Sequence, residues 1–309
     1  MKLIKPSVEI LTQSSGLQGI YDMIELCGKT SYKSPIRGGE EAKKFVEARI
    51  NEGHYAVLEF GTVYLKIPMT THYSGDANIY LNSPYCKVNE SSGFPFKDIF
   101  DDPVDCWCIT TNLRFICDND LWDDIDDFLC EPTKFHYRRY CARIITDRGV
   151  SHELVRHRTM SFCQESTRYC NYSKDKFENE LTFIEPYWTN IKPLHEDMRK
   201  LETGIKAWNN TNLIHIYGED IKSKWFLKSC LEAEAAYLAL VQQEGATPQE
   251  ARQILPNALK TEICMCGFED AWEHFFDLRY RGTTGKPHPD MLNVATMLHD
   301  KFEKEGIAL

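Results

Sequence analysis

An α+β fold, with a central, mostly antiparallel sheet packed with helices and a helical C-terminal half, follows from three features of the sequence. Alternating β-branched and aromatic residues mark "AVLEFGTVYLKI", "YCARIITDRG" and "ALKTEICMCGF" as strands. Helical spacing of apolar residues dominates from Leu194 onward. The order strand, helix, strand, then helices separates the two kinds of element. At 309 residues, 42% of them hydrophobic and 27% charged, the chain can bury a sizeable core, and it reads as one domain over 1–309.

In chain order, "GEEAKKFVEARINEGH" reads as a helix with Phe45 and Ile50 on its apolar side, ending near Gly53. "AVLEFGTVYLKI" follows as a strand. Residues 68–137 are turn-rich in "YSGDANIYLNSPYCKVNESSGFPF" and acidic, amphipathic and helical in "DNDLWDDIDDFL". They read as an insertion on the main body. "YCARIITDRG" is the second strand, and "SHELVRHR" a helix with Ser151 as N-cap. "LHEDMRKLETGIKAWNNTNLIHIYG" and "KSKWFLKSCLEAEAAYLALVQQEG" are helices, the second closing at Gly245. In "TPQEARQIL", Thr247 caps and Pro248 opens a short helix. "EDAWEHFFDLRYRG" is the helix after the last strand.

A net charge of −10 argues against general nucleic-acid binding, which needs a basic surface. The start "MKLIKPSVEILTQSSG" lacks a signal peptide's apolar region, and no apolar run is long enough to cross a membrane. A cytoplasmic location with reduced thiols is expected. The 12 cysteines include no C-x-x-C pair, so no metal site is expected and most read as small core residues. "HELVRH" imitates the H-E-x-x-H zinc motif, but His152 and His157 are one residue too far apart. On a helix they diverge by roughly 140°.

The informative stretch is "RHRTMSFCQESTRYC", Arg156 to Cys170. An Arg/Glu-rich window is ordinarily a helix end laced with salt bridges. Here Arg156, His157 and Arg158 are consecutive donors, and the polar run Gln164-Glu165-Ser166-Thr167-Arg168 has no helical pattern. A loop of this kind suits an anion held by backbone amides, a hydroxyl and a guanidinium fork.

Those residues resemble the signature R-H-R-x-x-S-x-N-x-x-S-x-R of the flavin-dependent thymidylate synthases. Arg156, His157, Arg158, Ser161, Ser166 and Arg168 match, and Cys163 stands where the family usually has Asn. "EGHYAVLEF" resembles the family's G-H-x-[ST]-x-x-E-H segment through His54 and Glu59, with Ala56 and Phe60 departing from it. "EARQILP" resembles the stretch carrying a phosphate-binding arginine, here Arg252. "WEHFFDLR" resembles the segment carrying a flavin-proximal residue, here His274, and a pyrimidine-facing arginine, here Arg279. Glu153 stands where the family often has Gln. Residues 68–137 have no counterpart.

The resemblance implies a methyltransferase that converts dUMP to dTMP, with methylenetetrahydrofolate as carbon donor and FAD reduced by NADPH. It also implies a homotetramer whose active sites draw on several subunits. Arg279 and His54 would be catalytic. Glu153, Arg156, Gln164, Glu165, Ser166, Thr167, Arg168, Arg252 and Arg279 would bind dUMP. Ala56, Glu59, Arg156, His157, Arg158, Cys163, Gln164 and His274 would bind FAD. The family needs no cysteine adding to the uracil ring, so Cys163 is read as packing and Ser166 as a hydrogen-bond donor rather than a nucleophile. Two other readings stand beside this one: a nucleotide- or RNA-binding module using the arginine loop, and a relative catalytically impaired by Cys163, Ala56 and Glu153, the last repelling the phosphate unless an arginine pairs with it.

Overall fold

The computed structural model describes residues 1–69, 77–91, 96–97, 103–191 and 219–309. A four-stranded antiparallel sheet forms the platform for the candidate site. It consists of β2 (Ser7–Leu11), β8 (Arg139–Asp147), β11 (Lys260–Phe268) and β9 (Ser161–Gln164), in the order β2-β8-β11-β9. β11 lies between two neighbours and is buried on both faces from Thr261 to Phe268. A second antiparallel sheet joins β3 (Thr62–Pro68), β7 (Cys106–Asn112) and β4 (Lys87–Glu90), with β7 in the middle. Two short pairs complete the strands: β1 (Lys2–Ile4) with β10 (Thr182–Ile184), which is parallel, and β5 (Phe96–Lys97) with β6 (Pro103–Val104). Both larger sheets carry helices, so the α+β expectation holds.

Each sheet has its own core. Over the three-stranded sheet, Val63, Leu65, Ile67 and Ile109 pack with Ile20 and Ile24 of α1 (Gly16–Lys29) and Ala42 and Val46 of α2 (Glu40–Asn51). Residues from the stretch expected to be an insertion belong to this core. They include Tyr80 of α3 (Ala77–Leu81), Leu113, Phe115 and Ile116 of α4 (Leu113–Asp118), and Ile125 of α5 (Trp122–Phe128). Over the four-stranded sheet, Ala142, Ile144, Ile263 and Met265 pack with Trp272, Phe275 and Phe276 of α9 (Glu269–Phe276) and Leu298 and Phe302 of α10 (Pro289–Lys304). Of the 12 cysteines, 10 are buried and all are free thiols, as small core residues should be.

Two sequence expectations are corrected. "AVLEFGTVYLKI" is a strand only from Thr62, because Tyr55–Phe60 forms a 3-10 helix. Its apolar residues Leu58 and Phe60 are buried, and the chain turns at Gly61, where an added Cβ would lie 2.6 Å from Ile20 of α1. The helix α6 (Arg148–Leu154) starts before Ser151. Asp147 is its N-cap and accepts the Val150 N–H at 2.8 Å. It therefore ends before the arginines of the signature. The long helix α7 (Ile221–Gln242) precedes Gly245, which has φ +70°. α8 (Pro248–Ala251) carries the expected Thr247 cap within a full capping box. The helix expected over "LHEDMRKLETGIKAWNNTNLIHIYG" lies outside the described residues.

Candidate active site

β9 is the bar on which the site is built. It is an edge strand, paired to β11 with Ser161 opposite Cys266 and Cys163 opposite Cys264. The signature arginines lead into it, and the Ser166–Arg168 loop leaves it.

Before β9, the chain folds Arg279 onto the signature. Arg279 lies in a π-helical turn, Asp277–Arg281, that extends α9 and ends at Gly282 with φ +68°. Its Nη1 donates to Glu153 Oε2 at 2.9 Å and its Nε to His157 Nε2 at 3.2 Å; Nη2 reaches the Glu153 carbonyl at 3.5 Å. A donor at Nε2 requires a lone pair there, so the His157 proton is assigned to Nδ1. Burial and then the Arg279 charge push the His157 pKa down to about 4. Its ring meets His274 at 6.2 Å and Phe275 at 5.0 Å between centroids. Glu153 is also 3.7 Å from His288 Nδ1. It is thus a paired carboxylate rather than a bare negative charge.

Along β9, Ser161 donates to Glu59 Oε2 at 2.6 Å, and Arg114 of α4 donates to Glu59 Oε1 at 2.6 Å. Arg139 fixes the Glu59 carbonyl at 2.9 Å. Cys163 is buried, its Sγ 3.0 Å from Ser31 Oγ, and burial pushes its thiol up to about 11. A nucleophilic thiolate does not suit that environment. Gln164 donates to Ser151 Oγ and Thr261 Oγ1, which ties β9 to α6 and β11.

After β9, Glu165 is almost fully buried, held by Lys260 Nζ at 2.6 Å and the Tyr172 hydroxyl at 3.0 Å. Lys33 lies 3.9 Å away and also pairs with Glu262. Three of the amides expected to cradle an anion are engaged within the chain. Glu165 N–H goes to the Glu262 carbonyl, Ser166 N–H to the Ser31 carbonyl, and Arg168 N–H to Ser166 Oγ. What the loop offers is side chains. Arg168 is exposed, with its guanidinium 4.5 Å from the Tyr169 ring centroid, while Thr167 is buried.

On the same flank, His54 and Ala56 line a cavity of about 360 Å³ with Ser31, Tyr32, Phe45 and Arg49. Tyr32, on the cavity wall, meets the Tyr169 ring at 4.8 Å between centroids, and Arg168 lies over the same Tyr169 ring. His54 is exposed and 3.4 Å from Glu52. Arg49 keeps a buried Nε with no partner. Ser31, Tyr32, Arg49, Arg114 and Tyr169 were not picked out from sequence. Only Tyr169, next to Arg168, had a local signal.

The structure therefore forms one group of Arg279, Glu153, His157 and His274 and a second of His54, Ala56 and Ser31, with Arg168 beyond the Tyr32–Tyr169 ring pair and Glu59 and Ser161 at the start of β9. No described contact joins Arg252, in an exposed turn Arg252–Ile254, or the exposed side chains of Arg156 and Arg158 to either group. The donor set is chemically suited to an anionic ligand: the half-buried Arg279 guanidinium lies beside a neutral, buried imidazole, and Arg168 presents an exposed one.

The sequence model of the family described as "Thymidylate synthase complementing protein" matches residues 134–305, more than half of the chain. A flavin-dependent thymidylate synthase of Corynebacterium efficiens is 33% identical over 132 residues, 43% of this chain and 45% of that protein. One of Pyrococcus furiosus is 30% identical over 139 residues, 45% of this chain and 43% of that protein. The matched stretch spans under half the length of either relative. Among solved structures, a Helicobacter pylori thymidylate synthase X with FAD and dUMP aligns with TM-score 0.37 at 21% identity, covering 55% of this chain and 69% of that one. A UMP/dUMP methylase from Streptomyces cacaoi aligns with TM-score 0.42 at 13% identity, covering 98% and 93%.

Proposed function

The chain belongs to the family described as thymidylate synthase complementing protein, and on that premise we propose that it is a flavin-dependent thymidylate synthase. It would make dTMP from dUMP, with methylenetetrahydrofolate as carbon donor and NADPH-reduced FAD as the source of hydride. It would act as a homotetramer whose sites draw on several subunits. The observation that carries this reading is Arg279, brought from the far end of the chain onto the signature's His157 and held there by Glu153.

FAD, when bound, supplies two-electron reducing chemistry that no side chain here can provide. The chain's own task is to bind the pyrimidine and make it electron-rich at C5. Arg279 uses three of its five N–H donors within the chain, leaving two for a ligand carbonyl or the N3 of an ionised pyrimidine. A guanidinium fixed in advance stabilises negative charge developing on the ring without reorganising at the moment of reaction. A neutral His157 adds no second positive charge beside Arg279, and its Nε2 lone pair fixes the guanidinium plane. Arg168, Ser166 and Arg252 are the phosphate ligands in this reading. Glu153, Arg156, Gln164, Glu165 and Thr167 border the nucleotide, and Gln164, Glu165 and Thr167 act by holding the loop. His54, Ala56, Glu59, Arg156, His157, Arg158, Cys163, Gln164 and His274 face the flavin.

The impaired-relative alternative rested on Cys163, Ala56 and above all Glu153, and the pairing of Glu153 with Arg279 removes the strongest of these reasons. Anaerobic incubation with FAD, NADPH, methylenetetrahydrofolate and dUMP tests the proposal. It expects dTMP; flavin that NADPH bleaches without any dTMP would refute it.

A further inference from the structure

We propose that Arg114 is a positioning residue for the flavin site, delivered by a segment that the family match does not cover. This inference rests on the flavin reading of Glu59. Arg114 lies on α4, which directly follows β7 and starts at an Asn112 cap whose side chain accepts the Phe115 N–H. The matched stretch begins at residue 134, so α4 lies outside it.

The geometry is specific. The two oxygens of Glu59 are divided: Oε2 takes the Ser161 hydroxyl and Oε1 takes Arg114 Nη1, both at 2.6 Å. Arg114 Nε is held in turn by Asp118 Oδ2 at 3.1 Å, one helical turn on, and its guanidinium lies 5.8 Å from the Tyr85 ring centroid. Arg139 secures the Glu59 backbone independently. Removing Arg114 would therefore free the carboxylate while leaving the 3-10 helix in place. Glu59 fixes a signature hydroxyl, so freedom at the carboxylate becomes freedom at Ser161. The charge-assisted bonds at both oxygens are of the kind that hold a side chain in one rotamer. A lysine could reach Glu59 but has no planar fork with which to satisfy Asp118 at the same time.

The test is FAD titration into the purified full chain, followed by flavin fluorescence, with R114M, R114K, E59Q and the R114M/E59Q pair. We expect R114M to weaken FAD binding about tenfold, the order of one hydrogen bond to a charged group. R114K should recover part of that loss. The double variant should bind no worse than E59Q alone, because Arg114 acts only through Glu59. If R114M unfolds, R114K against E59Q carries the comparison by the same criterion. FAD affinity within twofold of wild type in R114M, or fully additive losses in the pair, would overturn the inference while leaving the flavin reading intact. Wild-type protein that takes up no FAD would instead overturn the flavin reading, and this inference with it.

Discussion

Arg279 depends on two neighbours that sequence spacing does not reveal, Glu153 and His157, and each gives a measurable consequence. Replacing Arg279 with Ala should lower turnover about 10²–10³-fold, the loss of one preorganised donor, with FAD still bound. Steady-state dTMP formation checks this. Cys163→Ser should keep most activity, because the buried thiol meets the Ser31 hydroxyl and the Gly28 carbonyl and a hydroxyl can keep both contacts. The sign of the His157 effect on stability follows from linkage. Its folded pKa, about 4, lies below the unfolded value near 6.5. Between those values the unfolded chain binds more protons, so stability falls as the pH drops from about 6.5 toward 4. After solvent screening, about 1 kcal/mol should be lost by pH 5. Urea midpoints at pH 7 and 5 should converge in part for His157→Asn. Buried His136, also lowered, keeps the remaining slope. At this scale the six signature positions were legible because they fall at fixed spacing within one short stretch, Arg156 to Arg168. The Glu153 pairing was not, because its partner arrives from the end of another helix.

At the scale of elements, the strands β8 and β11 and the capped α8 were legible, since each is decided by local pattern and local caps. The 3-10 helix at Tyr55–Phe60 was not. Its composition suits a strand, and the decision is tertiary: α1 packs against Gly61 too closely for a side chain. Gly61→Ala should therefore destabilise the fold by about 1–3 kcal/mol through overpacking against Ile20 and Ile24, readable by denaturant unfolding. α1 carries Leu17, Ile20, Met23, Ile24 and Cys27 at helical spacing, a pattern present in the sequence but overshadowed by the signature. In the 165–168 loop, polar composition suggested a backbone cradle; the Glu165 and Ser166 amides staple the loop to β11 and the Thr30–Tyr32 turn, and the Arg168 amide turns back onto Ser166 Oγ.

For the whole molecule, composition bounded the class and the signature the chemistry. Where residues 68–137 pack could not be read, because they contain turns and acids rather than a strong period. Their described parts complete a sheet on β3, fill the core beneath α1 and bring Arg114 to Glu59. Guanidiniums from distant segments dominate the candidate site of a chain with net charge −10, which fits a small anion better than a polyanion. The most direct measurement is a crystal structure of the FAD-loaded protein soaked with dUMP. The account predicts a pyrimidine carbonyl against the free edge of Arg279 and the phosphate among Arg168, Ser166 and Arg252. A nucleotide bound with its base away from Arg279, and the Glu153–Arg279 pair facing only protein, would contradict it.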